Sequence, residues 1–82
     1  MEAYQKYLSK FWIEVEWNFI SGVGVTAFDE ADAQRIIVNK ISSEVKFVSI
    51  TKIHSLDELD QGHVLPNMEE WVSRGIWHPK GY

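Results

Sequence analysis

The sequence predicts an α+β domain: a small antiparallel or mixed sheet of three to four strands, one main helix over 29–42 packed on one face, and an irregular C-terminal tail. Three observations carry this. Phe11, Ile13, Val15, Trp17 and Phe19 alternate with Trp12, Glu14, Glu16 and Asn18, the period-two pattern of a half-buried strand. Ala33, Ile36, Ile37 and Ile41 recur at helical spacing and make an apolar stripe about three turns long. Residues 45–53 then return to a run rich in β-branched types. One helix between such strands buries its stripe by lying on the sheet.

Each element has a local reason. Tyr4, Tyr7, Leu8 and Phe11 stand at helical spacing, so residues 1–10 are expected to form a short helix. The strand over 11–20 is broken by Ser21-Gly22, and Val23-Gly24-Val25-Thr26-Ala27-Phe28 reads as a second, short strand paired antiparallel to it. Gly22 and Gly24 suit a tight hairpin or a bulge. Asp29 is placed to cap the helix, and Asp32 suits the positive end of the helix dipole. Ser42-Ser43 ends the helix. In the third strand Val45, Phe47 and Ile53 fall on one parity and Val48 and Ile50 on the other, which fits a central strand covered on both sides or an edge covered by another chain. The helical crossover would also let the second and third strands lie parallel. In the tail, residues 56–60 are expected to make one helical turn, with Gly62 and Pro66 stopping anything longer. Residues 68–72 form a second short helix or turn, and Ile76-Trp77-His78-Pro79 a last edge strand closed by the proline.

Composition bounds the function. At 82 residues the chain is expected to be a single domain over 1–82. It has no cysteine, which excludes a disulfide scaffold, a cysteine-ligated metal and a thiol nucleophile. With 45% hydrophobic and 13% aromatic residues it is not a disordered chain. The longest stretch without a charged residue, Trp17 to Phe28, falls short of the roughly 20 residues that span a bilayer, and Met1-Glu2-Ala3-Tyr4-Gln5-Lys6 lacks the layout of a secretion signal. A cytoplasmic location and no membrane partner are the expectations. The formal net charge is -4, with residues 14–32 and 54–82 acidic and 33–53 basic. No basic patch is interleaved with exposed rings, so no nucleic-acid partner is expected.

Two stretches carry a family likeness. Gly22-Val23-Gly24-Val25-Thr26-Ala27 followed by Asp32-Ala33, and Leu59-Asp60 with His63-Val64-Leu65-Pro66-Asn67-Met68 and Arg74-Gly75-Ile76-Trp77, resemble a family of small bacterial single-domain proteins with no assigned function. The resemblance implies a bacterial, stand-alone domain. It implies no catalytic residue, cofactor or substrate.

Several constellations are chemically suggestive. Gly22-Val23-Gly24 with Ala27 resembles the start of a phosphate-binding loop, but no helix opens inside it and the Lys-Ser/Thr of a P-loop is absent, so hairpin or bulge glycines are the preferred reading. His54, Asp57, Asp60 and His63 recur every third residue and are metal-ligand types. Successive steps of three turn about 60° around a helix, so the four do not converge, and no metal is assigned. His54, His63, Asn67 and Arg74 would line a polar pocket if the rigid loop around Pro66 is a recognition surface; the same loop would equally plug the core with Leu65 and Met68. No Gly-x-Ser-x-Gly elbow accompanies the serines and histidines. Glu14 and Glu16 are neighbours on one strand face, and the wet side of a sheet explains them more simply than acid/base chemistry. Trp12 shares that face, while Trp71, Trp77 and Tyr82 lie in the tail. Either the tail folds back over Trp12, or the rings bind another protein or a second copy.

The leading expectation is an acidic protein-interaction module without cofactor or catalysis, using Trp12, Glu14, Glu16, Trp71 and Trp77. It would self-associate or bind a protein partner, one version being an inhibitor or immunity-type partner of a basic protein. The alternative is a small ligand-binding or metal-binding protein or an enzyme with its pocket near His63, Asn67 and Arg74.

Overall fold

The computed structural model describes residues 7–82. Tyr4 and most of the expected N-terminal helix lie outside the described residues, and Ser9 and Lys10 already belong to the first strand. Strands β1 (Ser9–Trp17), β2 (Ile20–Ala27), β3 (Lys46–Ile53) and β4 (Gly75–His78) form one antiparallel sheet in the order β3-β1-β2-β4. The main helix α1 (Glu30–Lys40) lies over β2 and β4. This is the α+β architecture the alternating strand and the isoleucine stripe predict.

The helix begins where its cap allows. Asp29 is extended, and its Oδ1 accepts the N–H of Asp32 at 2.8 Å, satisfying a donor that the first turn leaves unpaired. Ala33, Ile36 and Ile37 are buried against Phe11, Ile13, Val15, Val23 and Val25. The odd-numbered residues of β1 therefore face the helix.

Three expectations need correction. The parallel arrangement of the second and third strands does not occur: β3 pairs antiparallel with β1, where Ile50 stands opposite Ile13 and Phe47 opposite Val15. Those pairs extend the helix-side core, and β4 takes the other side of β2. The hairpin does not turn at Ser21-Gly22. Trp17 stands opposite Ile20, so Asn18-Phe19 is the turn, and Asn18 adopts φ 49°, a left-handed conformation that asparagine tolerates better than most residues. Phe19, which parity assigned to the core, is consequently fully exposed at the tip. Finally, Gly22 and Gly24 lie inside β2 and make no hairpin turn, while the ladder shifts register beside each of them, as the bulge alternative expects.

The second face of the sheet is covered too. The tail makes short 3-10 turns at Leu56–Glu58 and Leu65–Asn67, while 68–72 is irregular rather than helical. It crosses the sheet so that Ile53, Leu59, Val64 and Trp77 form a second buried cluster, with Trp12, Leu65, Met68 and Trp71 packed around it. Side-chain bonds replace helix bonds along this path. The Asp60 carboxylate accepts from Gly62 and His63 N–H, and Asn67 Nδ2 donates to the His63 carbonyl. The buried Thr26 hydroxyl donates to the Trp71 carbonyl, and Glu69 N–H donates to the Trp77 carbonyl at 2.7 Å. The face expected to meet solvent around Trp12 is thus largely under the tail. Among the described residues no helix is long and apolar enough to cross a membrane.

Candidate functional site

The even-numbered residues of β1 put Lys10, Trp12, Glu14 and Glu16 on the tail side, and the two strand glycines decide what happens there. Trp12 stands opposite Gly24 and Glu14 opposite Gly22. A Cβ on Gly24 would overlap the Trp77 ring, and one on Gly22 would overlap the Trp12 ring. Each glycine is therefore a place where an indole lies directly on the backbone, a common reason for glycine within a strand.

The result is a row of aromatic contacts. Trp71 meets Trp77 edge to face at 5.5 Å, Trp77 lies 6.3 Å from Trp12, and Trp12 lies 5.2 Å from His78. Lys10 Nζ sits 5.0 Å from the centre of the Trp71 ring, a cation–π contact at one end of the row. Trp77 is wholly buried, Trp71 and Trp12 half-buried.

Beside Trp12 opens a groove of about 720 Å³ between the sheet and the tail. Trp12 and Gly22 form part of its wall, Glu14 and Phe19 stand along β1 and the hairpin tip, and Asp60, His63 and His78 come from the tail side. Glu14 is exposed and accepts one bond, from the Ser49 hydroxyl to Oε1 at 2.8 Å. His63 Nδ1 lies 3.2 Å from Asp60 Oδ2 on the exposed rim. Among the described residues no lysine or arginine lines it.

The other sequence-selected residues fall elsewhere. Arg74 is held on the helix side of the molecule: its Nε donates to Asp32 Oδ2 at 2.9 Å and its Nη2 to Asp32 Oδ1. Asn67 is turned back to the main chain at His63, and His54 is exposed. Of His54, His63, Asn67 and Arg74, only His63 reaches the groove. Of Trp12, Glu14, Glu16, Trp71 and Trp77, Trp12 and Glu14 reach it, Glu16 lies further along β1 on the same side, and the buried Trp77 supports Trp12 from beneath. Among the described residues no group of three or more His, Asp or Glu side chains is placed to hold a metal. Sequence reasoning missed Phe19 and His78. The turn-tolerant Asn18 preceding Phe19 was the available signal for the first; nothing local marks the second.

Fold and groove define a class: an α+β domain with a helix on one face of a four-stranded antiparallel sheet and an open aromatic groove under an irregular tail on the other. No protein-family model matches the chain, and no curated protein and no solved structure matches it either.

Two predictions arise here. Gly22→Ala forces the Trp12 ring off the strand. Because that ring is half-exposed it has somewhere to go, so the domain stays folded while the Trp12 indole N–H resonance shifts and acrylamide quenching rises; an unchanged indole signal would refute the contact.

Acid destabilises the protein in two stages. Burial holds the His78 imidazole below its usual pKa, against an opposing hydrogen bond with the Asn67 main chain. The Arg74 guanidinium holds the Asp32 carboxyl far below the usual carboxylate range, helped by Phe28 N–H and opposed by burial. Backbone N–H groups, led by Gly62, lower Asp60 together with His63, and the Ser73 side chain leads in lowering Glu70. In each case the unfolded chain takes up its proton at a higher pH than the folded one, so stability rises with pH. It is expected to be full near pH 8, to fall below about pH 6.5 as His78 titrates in the unfolded state, and to fall again below about pH 4. Urea midpoints measured from pH 8 to pH 2 check both stages.

Proposed function

We propose that the protein is a non-catalytic interaction module whose binding surface is the groove beside Trp12. The observation that carries this is the partly exposed Trp12 ring, fixed on Gly22 and backed by Trp77 and His78, beside a groove that the fully exposed Phe19 also lines. A rigid aromatic held at the surface is the feature that protein interfaces concentrate at their centres. The fully exposed phenylalanine at the hairpin tip has no packing role among the described residues. The acidic neighbours Glu14, Glu16 and Asp60 would give such a surface its selectivity and speed encounter with a basic partner, as in an inhibitor or immunity-type protein.

The test combines sedimentation with partner capture from the source cell. A module of this kind shows concentration-dependent mass or a co-purifying protein, and loses it in Trp12→Ala or in Phe19→Ser. A strict monomer at high concentration that captures nothing refutes the reading. The groove's volume also falls within the range of about 300–1,000 Å³ used for small ligands, which favours a ligand-binding protein as the second reading. A rise in melting temperature with a small molecule, lost in His63→Ala, would select it.

A further inference from the structure

We infer that the groove accepts a cationic side chain, the guanidinium or ammonium of an arginine or lysine presented by a protein partner, seated against Trp12 with Glu14 as its counter-ion. The inference rests on the groove being the binding surface and names what that surface recognises.

Three observations converge. The first is the charge of the lining: Glu14, Glu58 and Asp60 contribute carboxylates, and among the described residues no lysine or arginine joins them in the lining. His78 does not offset this at neutral pH, because burial favours its uncharged form. The second is the bonding state of those carboxylates. Glu58 Oε2 is taken by the N–H groups of His54 and Ser55. Asp60 uses Oδ1 for Gly62 and His63 N–H and Oδ2 for the His63 ring. Glu14 has a single bond, from Ser49 to Oε1, and its Oε2 is free of any described partner. A carboxylate accepts about four bonds, so Glu14, with one described bond, has the most capacity left, ahead of Glu58 with two and Asp60 with three. Glu58, which keeps Oε1 without a described partner, and the more fully bonded Asp60 add to the negative field around it.

The third observation is internal to the aromatic row. At one end Lys10 already lies over Trp71, and on the helix side the Arg74 guanidinium lies 5.7 Å from the Phe28 ring centre. Cations therefore pair with rings twice among the described residues. Trp12 is the next half-exposed indole along β1 from Lys10 and has no described cation over it. Its ring quadrupole and the Glu14 charge favour the same kind of occupant, a cation with a flat or compact head. A neutral apolar side chain would fit Trp12 but leave the carboxylate partly desolvated, which is unfavourable.

Two capped pentapeptides that differ only in carrying arginine or glutamine at the central position test the inference, with amide shifts of residues around the groove as readout. The arginine peptide is expected to bind about tenfold more tightly than the glutamine peptide, the sum of a modest cation–π contact and a partly exposed ion pair. The preference should shrink as salt is raised. It should vanish in Glu14→Gln, an exposed position where folding is not at stake, and weaken in Trp12→Phe, which keeps a ring against Trp77. Equal shifts with both peptides would leave the binding surface standing and overturn the cation. No shift around the groove with either peptide at millimolar concentration would overturn both.

Discussion

Trp77→Ala unfolds the domain at room temperature. The side chain is wholly buried, lies on Gly24, and joins Trp71 to Trp12. Removing a buried tryptophan side chain costs about 3–5 kcal/mol. A domain near this size, with two small buried clusters and no disulfide or metal, rarely reaches more than about 3–5 kcal/mol in total. The loss therefore equals the whole stability. The same contact predicts the effect from the opposite side: Gly24→Ala inserts a methyl where the Trp77 ring already lies, and unlike Trp12 that ring has no solvent to move into. Far-UV circular dichroism against temperature checks both. Trp77→Phe, which keeps part of the volume and clears Gly24, is expected to fold with a lower melting temperature. A Gly24→Ala protein that melts like the wild type would show that the ring does not rest on the strand.

Arg74→Ala is expected to be more damaging than Asp32→Asn, although Arg74 is half-exposed and Asp32 is the buried partner. The reason is the charge left behind. Asp32 is 3% exposed, and its carboxylate is met by Phe28 N–H at 3.0 Å, by the two Arg74 nitrogens and, at 3.6 Å, by the largely exposed Arg35. Without Arg74 the buried carboxylate keeps only the Phe28 N–H and the longer contact to the exposed Arg35, and loses its two charge-assisted bonds. Asp32→Asn removes the charge instead, leaving Arg74 able to turn to water, and costs about 1.5–3 kcal/mol as lost charge-assisted bonds. That corresponds to roughly 6–24 °C in melting temperature for a domain of this length. The decisive measurement is the double variant Asp32→Asn/Arg74→Ala, which should be more stable than Arg74→Ala alone because no orphaned charge is then buried. Arg74→Lys should rescue poorly, since an ammonium lacks the fork that spans both oxygens. If the double variant is the least stable of the three, the carboxylate is not the origin of the damage.

These two contacts differ in how far the amino-acid order announces them. Asp29 as cap and the Ala33, Ile36, Ile37 stripe follow from spacing alone, and α1 starts and buries accordingly. Asp32 was legible only as a residue favourable to the helix dipole; its bond to Arg74, 42 positions away, depends on where the tail crosses. The glycines show the same limit. Gly22 and Gly24 read locally as hairpin or bulge residues; the turn is made instead by the left-handed Asn18, the ladder shifts register beside both glycines, and both carry indoles.

Trp12 shows most clearly where local pattern stops. Its parity with Glu14 and Glu16 correctly places it opposite the helix-side core, because alternation in a strand is a property of the backbone itself. Parity says nothing about what lies above that second face. The covering is made by residues after 54, whose Gly62, Pro66 and side-chain-to-main-chain bonds leave no period to read. Strand and helix registers are set by repeats a few residues long, and so were open to inspection in one dimension. The groove exists because an aperiodic segment packs against a distant strand, an outcome settled by the mutual fit of Trp77, Gly24 and Trp12 in three dimensions.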